Sequence, residues 1–197
     1  MKQINIIALI TAMSSVGCGT TADTGLSDAW QLFQLGDYAG AHAGFAAIDN
    51  SQEALAGLGW TTLRMDSLPQ ADRYFSLGDA MASPGDSIVE GYAGWAVTGW
   101  WKASITLNSG DWNASINRAN TVLRLLPDGF EFLYDGRVTQ RTLWLIQSYG
   151  YFNTGDLSHC RERILLLDPL YSGGTDVVLL LNEMKALSKT EVDLPLQ

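Results

Sequence analysis

The same order of polar, apolar and small residues occurs at four places along this chain. At each place a small or acidic turn is followed by an apolar residue, then by a small residue, and then by a small or apolar residue one helical turn further on. A glycine in the turn ends one helix, an Asp or Ser caps the next, and the small residue lets two helices approach closely. Each copy therefore predicts a turn between two helices, and the four copies are Gly36-Asp37-Tyr38 with Ala41 and Phe45, Asp66-Ser67-Leu68 with Ala71 and Phe75, Gly110-Asp111-Trp112 with Ser115 and Ala119, and Gly155-Asp156-Leu157 with Cys160 and Ile164.

The residues before the second and fourth turns extend this pattern backwards. They are Leu55, Leu58 and Gly59 before the second turn, and Trp144, Ser148 and Tyr151 before the fourth. This arrangement resembles the tetratricopeptide repeat (TPR), whose unit is a pair of antiparallel helices. The resemblance covers residues 26–188 and implies an all-α, right-handed solenoid of about four helical hairpins.

The four copies differ in length. Ser51 to Met81 and Thr139 to Asp168 match the repeat best, the first copy has a short leading helix from Leu26 to Leu35, and the third has a leading helix that extends to Asn108. Extra residues separate the copies at Ala82 to Ser87 and again after the third copy. The spacing is therefore less regular than in a uniform array.

The second of these insertions, Pro127 to Arg137, contains the aromatic stretch Phe130-Glu131-Phe132-Leu133-Tyr134. Asp128-Gly129 and Asp135-Gly136 bracket this stretch with turn residues. It is short enough to be a strand, but the rest of the chain offers no partner strand. We expect a loop that packs its rings back on the helices.

A last helix is predicted from Thr175 to Ser188, after Pro169 and Gly173-Gly174. Stacked helix pairs need such a terminal cap to cover their last apolar face. The tail, residues 189–197, is expected to lie outside the helical domain. The apolar face of the capping helix consists of Val177, Leu180, Leu181, Met184 and Leu187.

The N-terminus has a different pattern. Lys2 is followed by a mostly apolar run, Ile4 to Met13, and by small residues directly before Cys18. The run is shorter than the roughly 20 residues that span a bilayer. The segment resembles a bacterial lipoprotein signal, which implies that residues 1–17 are removed, that Cys18 carries a diacylglycerol and an acylated amino group, and that residues 18–25 form a tether. An ordinary cleaved secretory signal is the alternative.

Composition and charge limit the classes of partner that the protein is expected to bind. The chain has 12 basic and 21 acidic side chains. Lys2 is the only charged residue of the signal, so the mature chain keeps 11 basic and 21 acidic residues, a net charge of −10. Nucleic acids and anionic headgroups require clustered Lys and Arg, so neither is expected as a partner. With Cys18 lipidated, Cys160 has no cysteine to pair with, which excludes a disulfide scaffold.

Two strings have a catalytic appearance. Gly85-Asp86-Ser87-Ile88 is similar to the nucleophile motif of the GDS-type lipases and esterases, and Asp156-Leu157-Ser158-His159 to their Asp-x-x-His motif. In that family the serine follows a buried strand, whereas Ala80 to Pro84 predicts none here. Asp86 or Ser87 as a helix N-cap explains the first string equally well, and Asp156 lies at a repeat turn. We expect no enzymatic activity.

No metal or cofactor site is expected either. His42 and His159 are the only histidines and belong to distant repeats. Cys160 occupies a small packing position, which favours a buried, unreactive thiol, although Arg161 and Arg163 nearby leave raised reactivity open. The glycines inside predicted helices are interpreted as close-contact positions rather than a phosphate loop; they are Gly57, Gly59 and Gly78.

The resemblance to TPR proteins also implies a binding site, because in that family the leading helices line a concave groove. A groove rich in aromatic residues fits an extended peptide or an amphipathic helix, although each ring could instead fill the core. Carried over position by position, the groove residues are Trp30, Phe33, Glu53, Ala56, Trp60, Leu63, Arg64, Trp100, Ser104, Leu107, Tyr149, Phe152 and Asn153.

The sequence therefore favours a non-catalytic adaptor that is lipid-anchored in the bacterial envelope and holds an envelope protein or peptide in its groove. Gly19 stands where an aspartate would retain an enteric lipoprotein at the inner membrane, so the outer membrane is the expected location. The alternatives are a carbohydrate-binding lipoprotein with exposed tryptophans and, less favoured, the serine esterase.

Overall fold

The computed structural model of this protein describes residues 21–49, 51–82 and 88–191. These residues form nine α-helices, which confirms the all-α class. None of these helices is both long enough and apolar enough to cross a membrane. The helices are α1 (Thr21–Gln34), α2 (Tyr38–Ala46), α3 (Gln52–Arg64), α4 (Leu68–Met81), α5 (Val89–Thr106), α6 (Ser109–Leu125), α7 (Gln140–Thr154), α8 (Leu157–Leu167) and α9 (Val177–Glu191).

The helices pack in chain order. Every helix contacts the next one along the chain. In addition, α1 contacts α3, α3 contacts α5, α5 contacts α7 and α7 contacts α9, whereas α2, α4, α6 and α8 make no contacts with one another in the described part of the chain. The odd-numbered helices α1, α3, α5 and α7 therefore form a continuous surface, which we call the odd-helix face.

The first and fourth predicted turns are confirmed. Gly36 and Gly155 have left-handed backbone conformations, with φ of 80° and 83°, which a glycine adopts without a Cβ clash. Asp37 and Asp156 cap the helices that follow, accepting hydrogen bonds from the backbone N–H groups three residues on, at 2.9 and 3.2 Å. At the second turn Asp66 takes the left-handed position with φ 59°.

The third turn lies earlier than predicted. Helix α5 ends at Thr106, Leu107 has a left-handed φ of 55°, and α6 begins at Ser109. The side chain of Asn108 accepts a hydrogen bond from the N–H of Gly110 at 2.7 Å. Asn108 is thus the cap, and the predicted turn residues Gly110 and Asp111 belong to the first turn of α6.

The small positions bring helices together as predicted. Ala41, Ala71, Ser115 and Cys160 are buried, and so are the residues four positions after them. A Cβ on Gly57 would lie 2.5 Å from the ring of Phe45, and one on Gly59 would lie 2.5 Å from the ring of Phe75. The close-contact interpretation of these two glycines is confirmed. Gly78 differs, because its nearest neighbour would be 3.6 Å away.

Both ends of the helical region extend beyond their predicted limits. Helix α1 begins at Thr21 rather than Leu26, because Ile48 after α2 packs near Gly25 and supports this additional turn. At the other end α9 starts at Val177 and continues to Glu191. Asp176 caps it by accepting from the amides of residues 178 and 179, at 3.0 Å each, so Val177 lies in the first turn and is 51% exposed. The buried face of α9 consists of Leu180, Met184 and Leu187.

Candidate binding cleft on the odd-helix face

The segment between α6 and α7, residues 126–139, crosses the odd-helix face; we call it the 126–139 loop. It folds back on itself, since the N–H of Phe132 donates to the carbonyl of Val138 at 2.8 Å and that of Gln140 donates to the carbonyl of Phe130 at 2.6 Å. Glu131 and Thr139 form a single antiparallel bridge. The predicted loop is confirmed, and the one β-bridge that it forms in the described structure joins its own two halves.

The rings of this loop pack on the first two odd-numbered helices. The ring centroids of Phe132 and Trp60 are 4.3 Å apart and nearly parallel, and those of Tyr134 and Trp30 are 4.0 Å apart with an angle of 2° between the rings. Phe132 also meets Trp30 edge-on at 5.8 Å and Phe33 at 6.2 Å. Such stacked and edge-to-face pairs stabilise beyond their buried area. The prediction that the loop packs its rings on the helices is confirmed.

An ion pair fastens the same loop to α3. Arg64 donates to the carboxylate of Asp135, and the side chains are only 8% and 7% exposed. Arg137 donates to the same carboxylate from Nε at 2.8 Å and from Nη2 at 2.9 Å. Burial alone would raise the pKa of Asp135, but the hydrogen bonds from Arg137 and the charges of both arginines lower it overall. Asp135 is thus held as a carboxylate, while burial lowers the pKa of Arg64.

These contacts correct the expectation of an open aromatic groove. Trp30, Phe33, Trp60 and Trp100 are buried, and Arg64 pairs with a carboxylate of its own chain. At Trp30, Phe33 and Trp60 the physical reason is that the aromatic loop removes more apolar surface from water by covering these rings than by lying free in solvent. Trp100 instead lies 6.0 Å, between ring centroids, from Tyr149 on α7. Residues of the loop therefore contact four of the predicted ligand positions on α1 and α3, namely Trp30, Phe33, Trp60 and Arg64.

Of the remaining predicted positions, Ser104 lies near the end of α5, Tyr149, Phe152 and Asn153 lie on α7, and Leu107 lies in the turn between α5 and α6. Ser104, Leu107 and Asn153 are exposed, and Tyr149 and Phe152 are half-buried. The hydroxyl of Tyr149 is 2.8 Å from the Oγ of Ser188 on α9, and burial raises its pKa. The structure therefore divides the predicted groove into a part covered by the loop at Trp30, Phe33 and Trp60, a buried position at Trp100 on α5, and more accessible positions at the end of α5 and on α7.

A cleft remains at the edge of the covered part. It has a volume of about 170 Å³ and lies between α1, α3, the start of α5 and the 126–139 loop. The indole N–H of Trp60 donates to the backbone carbonyl of Glu90 at 3.0 Å, which fixes the start of α5 against α3. Burial and the charge of Glu90 raise the pKa of Tyr134, so its phenol stays neutral. The lining residues are Leu26, Trp30, Glu53, Ala56, Ile88, Glu90 and Tyr134.

Sequence reasoning identified three of these residues, namely Trp30, Glu53 and Ala56. Leu26 could also have been predicted from the sequence, because Leu26 precedes Trp30 by one helical turn on the same face. Glu90 follows the insertion Ala82 to Ser87, after which spacing from a repeat turn gives no register. Tyr134 was placed in a loop that packs on the helices, but nothing local specified which helices.

The catalytic-looking strings have structural roles where the structure describes them. Asp156 caps α8, and its second carboxylate oxygen is 2.6 Å from Nδ1 of His159. The hydrogen bond from His159 lowers the pKa of Asp156. Gly85, Asp86 and Ser87 lie outside the described residues, as do Cys18 and the whole predicted signal, residues 1–17.

The remaining chemical candidates are also in packed surroundings. Cys160 is buried with its Sγ 3.9 Å from the sulfur of Met184, and burial followed by the charge of Asp156 raises the pKa of the thiol to about 12. The predicted burial of this thiol is confirmed. In the described ranges no three His, Cys, Asp or Glu side chains come together in a way that could hold a metal ion.

The tryptophans give little support to the carbohydrate-binding alternative. Four of the seven are buried and the other three are half-buried. Trp95 lies under the guanidinium of Arg118, 3.6 Å from the ring centroid, and donates to Asp72 at 2.6 Å. A sugar platform needs an open ring face, which this tryptophan does not offer.

No model of a protein family matches the sequence, and no curated protein is significantly similar to it.

Proposed function

We propose that this protein is a non-catalytic adaptor of the bacterial envelope, anchored through a lipid on Cys18, that binds a segment of a partner protein at the odd-helix face. In this proposal its helices form a right-handed solenoid of four TPR-like hairpins, which α9 caps. The partner enters at the cleft between α1, α3, the start of α5 and the 126–139 loop. The expected location is the outer membrane.

The cleft is the observation that carries the proposal. It combines rigid aromatic side chains, Trp30 and Tyr134, with two carboxylates, Glu53 and Glu90, at one place on the face where such scaffolds bind peptides. The half-buried ring of Tyr134, held by stacking on Trp30, offers contact area at low entropic cost, and the carboxylates supply polar selectivity.

The contact pattern supports the solenoid. Within residues 21–49, 51–82 and 88–191, consecutive odd-numbered helices touch one another while the even-numbered helices do not, as expected when hairpins stack with one helix inside the curve and one outside. Two further features fit stacked TPR-like hairpins. They are the left-handed turns at Gly36 and Gly155 and the close approach of Gly59 to Phe75.

Site-specific photo-crosslinking in cells tests the binding surface. A photoreactive phenylalanine analogue is placed at Leu26 or at Glu53 in the cleft, and at Asn117 or Arg124, which are exposed on α6, as controls. We expect both cleft positions to give an adduct of the same mass in the membrane fraction and the α6 positions to give none. Equal adducts from all four positions, or no adduct from the cleft, would contradict the proposal.

The anchor is tested separately. Cys18→Ala should abolish incorporation of labelled fatty acid and move the protein from the membrane to the soluble fraction. Cys160→Ala is the matched control, because it removes the other cysteine and leaves the signal intact. If the Cys18→Ala protein still sediments with membranes, the lipid anchor is not what holds it there.

A further inference from the structure

The walls of the cleft differ in chemistry. Tyr134, which is half-buried and stacked on the buried Trp30, provides the aromatic surface. Leu26, Ala56 and Ile88 provide apolar surface, and Glu53 and Glu90 provide the charge. Neither glutamate forms an ion pair within the described residues, although Asp72, Asp111 and Asp135 all do. The cleft is thus negatively charged, and an aromatic wall bounds it.

We infer that this cleft binds the cationic side chain of a basic peptide, the ammonium of a lysine or the guanidinium of an arginine. The inference rests on the proposed function and deepens it, because it names the group of the partner that the cleft selects. An aliphatic stem of four carbons or fewer fits along Leu26, Ala56 and Ile88, while the charged head reaches the carboxylates.

Aromatic rings and carboxylates favour the same kind of ligand. The face of a Trp or Tyr ring carries negative charge density and attracts a cation within about 6 Å of the ring centroid. A carboxylate adds a charge-assisted hydrogen bond, which is about twice as strong as a neutral one. An acidic ligand would face two like charges, and a neutral apolar ligand would leave both carboxylates without a partner.

The charge of the whole chain acts in the same direction. With a net charge of −9 over the full sequence, the protein attracts basic segments and repels acidic ones over a Debye length.

Both glutamates also have a purely structural explanation, and the experiment has to separate the two roles. Glu53 lies in the first turn of α3 and Glu90 in the first turn of α5, where a carboxylate stabilises the helix N-terminus. A helix-stabilising role predicts altered unfolding but no response to added cations. The inferred role predicts selective binding that depends on both carboxylates.

The probes are single capped amino acids, and the readout is the NMR spectrum of the ¹⁵N-labelled protein. Nα-acetyl-lysine methylamide and Nα-acetyl-arginine methylamide are titrated against the indole N–H signal of Trp30, which is assigned with Trp30→Phe. Nα-acetyl-norleucine methylamide, which keeps the carbon chain and lacks the charge, is the ligand control. We expect saturable shifts with the two cationic probes and little shift with norleucine. Raising the salt concentration to about 0.5 M should weaken the binding of the cationic probes, because salt screens the charges.

The matched variants are the double substitution Glu53→Gln with Glu90→Gln and, as control, Glu162→Gln on the exposed surface of α8. The double variant should bind the lysine probe at least about tenfold more weakly, which corresponds to roughly 1.4 kcal/mol. Glu162→Gln should bind it as the wild type does. If the double variant is destabilised, the single Glu53→Gln variant still tests the site, because Glu53 is exposed and its removal leaves the packing intact.

The inference is overturned if norleucine shifts the same signals equally, or if a folded glutamine variant binds lysine as tightly as the wild type. That failure is distinguishable from failure of the proposed function. Crosslinks at the cleft without cation binding would leave the adaptor role standing, whereas cation binding without crosslinks would leave a cleft with no protein partner.

Discussion

The ring of Phe132 lies stacked on the indole of Trp60, with 4.3 Å between ring centroids and an angle of 16° between the planes. Both side chains are fully buried. One belongs to the connection between α6 and α7 and the other to α3. This pair holds the 126–139 loop on α3 and buries the indole of Trp60.

Phe132→Ala should lower the free energy of unfolding by about 3–5 kcal/mol, because it removes a buried ring from a well-packed cluster. Leu133→Ala, at the neighbouring position that is 73% exposed, should change it by less than about 0.5 kcal/mol. Denaturation by urea, followed by tryptophan fluorescence, measures both. Equal stability of the two variants would mean that the loop is not docked on Trp60.

Asp135→Asn should cost about 3–5 kcal/mol at pH 7, because Arg64 would keep a buried charge without its carboxylate. The folded-state pKa of Asp135 is lowered, so its contribution is complete above the unfolded value near 3.9 and is lost as pH falls through the folded pKa. The difference between wild type and variant should therefore shrink below about pH 4.

Unfolding by urea at pH 7 and at pH 3 checks this prediction, with Asp128→Asn in an exposed part of the loop as the control. A wild-type advantage that stays the same at both pH values would show that the Asp135 charge does not contribute.

Leu107→Gly should stabilise the protein. Leu107 has a left-handed φ of 55° and is 73% exposed, so a glycine relieves backbone strain and sacrifices little packing. The strain of about 1–2 kcal/mol outweighs the greater entropy of glycine in the unfolded chain, which leaves a gain of about 0.5–1 kcal/mol. Leu107→Ala keeps the strain and should show no gain. Thermal unfolding curves of both variants measure the difference in stability. A Leu107→Gly variant no more stable than Leu107→Ala would mean that the backbone at residue 107 is not strained.

Two helical glycines should respond in opposite directions to alanine. At Gly59 the new Cβ would meet the ring of Phe75 at 2.5 Å, so Gly59→Ala should cost about 1–3 kcal/mol through overpacking. At Gly78 the nearest atom would be 3.6 Å away, so Gly78→Ala should gain up to about 1 kcal/mol from helix propensity. Calorimetric melting temperatures of the two variants should move apart. A shift in the same direction for both would argue against the close approach of α3 and α4.

Local chemistry explains why much of the fold could be predicted. The glycines at 36 and 155 and the caps that follow them act within a few residues, and the four-residue spacing of Ala71 and Phe75 specifies a buried face. The third turn was predicted wrongly for an equally local reason. Asn108 and Asp111 are both good caps three residues apart, and sequence rules alone do not rank them.

The state of the binding face could not be predicted in the same way. Trp60 and Trp30 were assigned to an open groove by their position before a turn, and the loop was correctly expected to pack its rings on helices. Which helices it covers depends on contacts between residues about 70 to 100 positions apart, and no spacing rule encodes such a pairing. Burial of the groove aromatics is therefore a tertiary property of this chain.

The contact of the 126–139 loop with α1 also affects how the molecule comes apart. Gln34 on α1 donates to the carbonyl of Leu133, a pair separated by 99 residues. In an array where each repeat touches only its neighbours, segments can unfold one after another. Here the loss of α1 would expose Phe132 and Tyr134 and disturb the entry into α7. We therefore expect α1 to α8 to unfold as one cooperative unit that folds slowly for a helical protein, because its key contacts are non-local. Only α9, which contacts α7 and α8 alone among the helices, is free to fray independently.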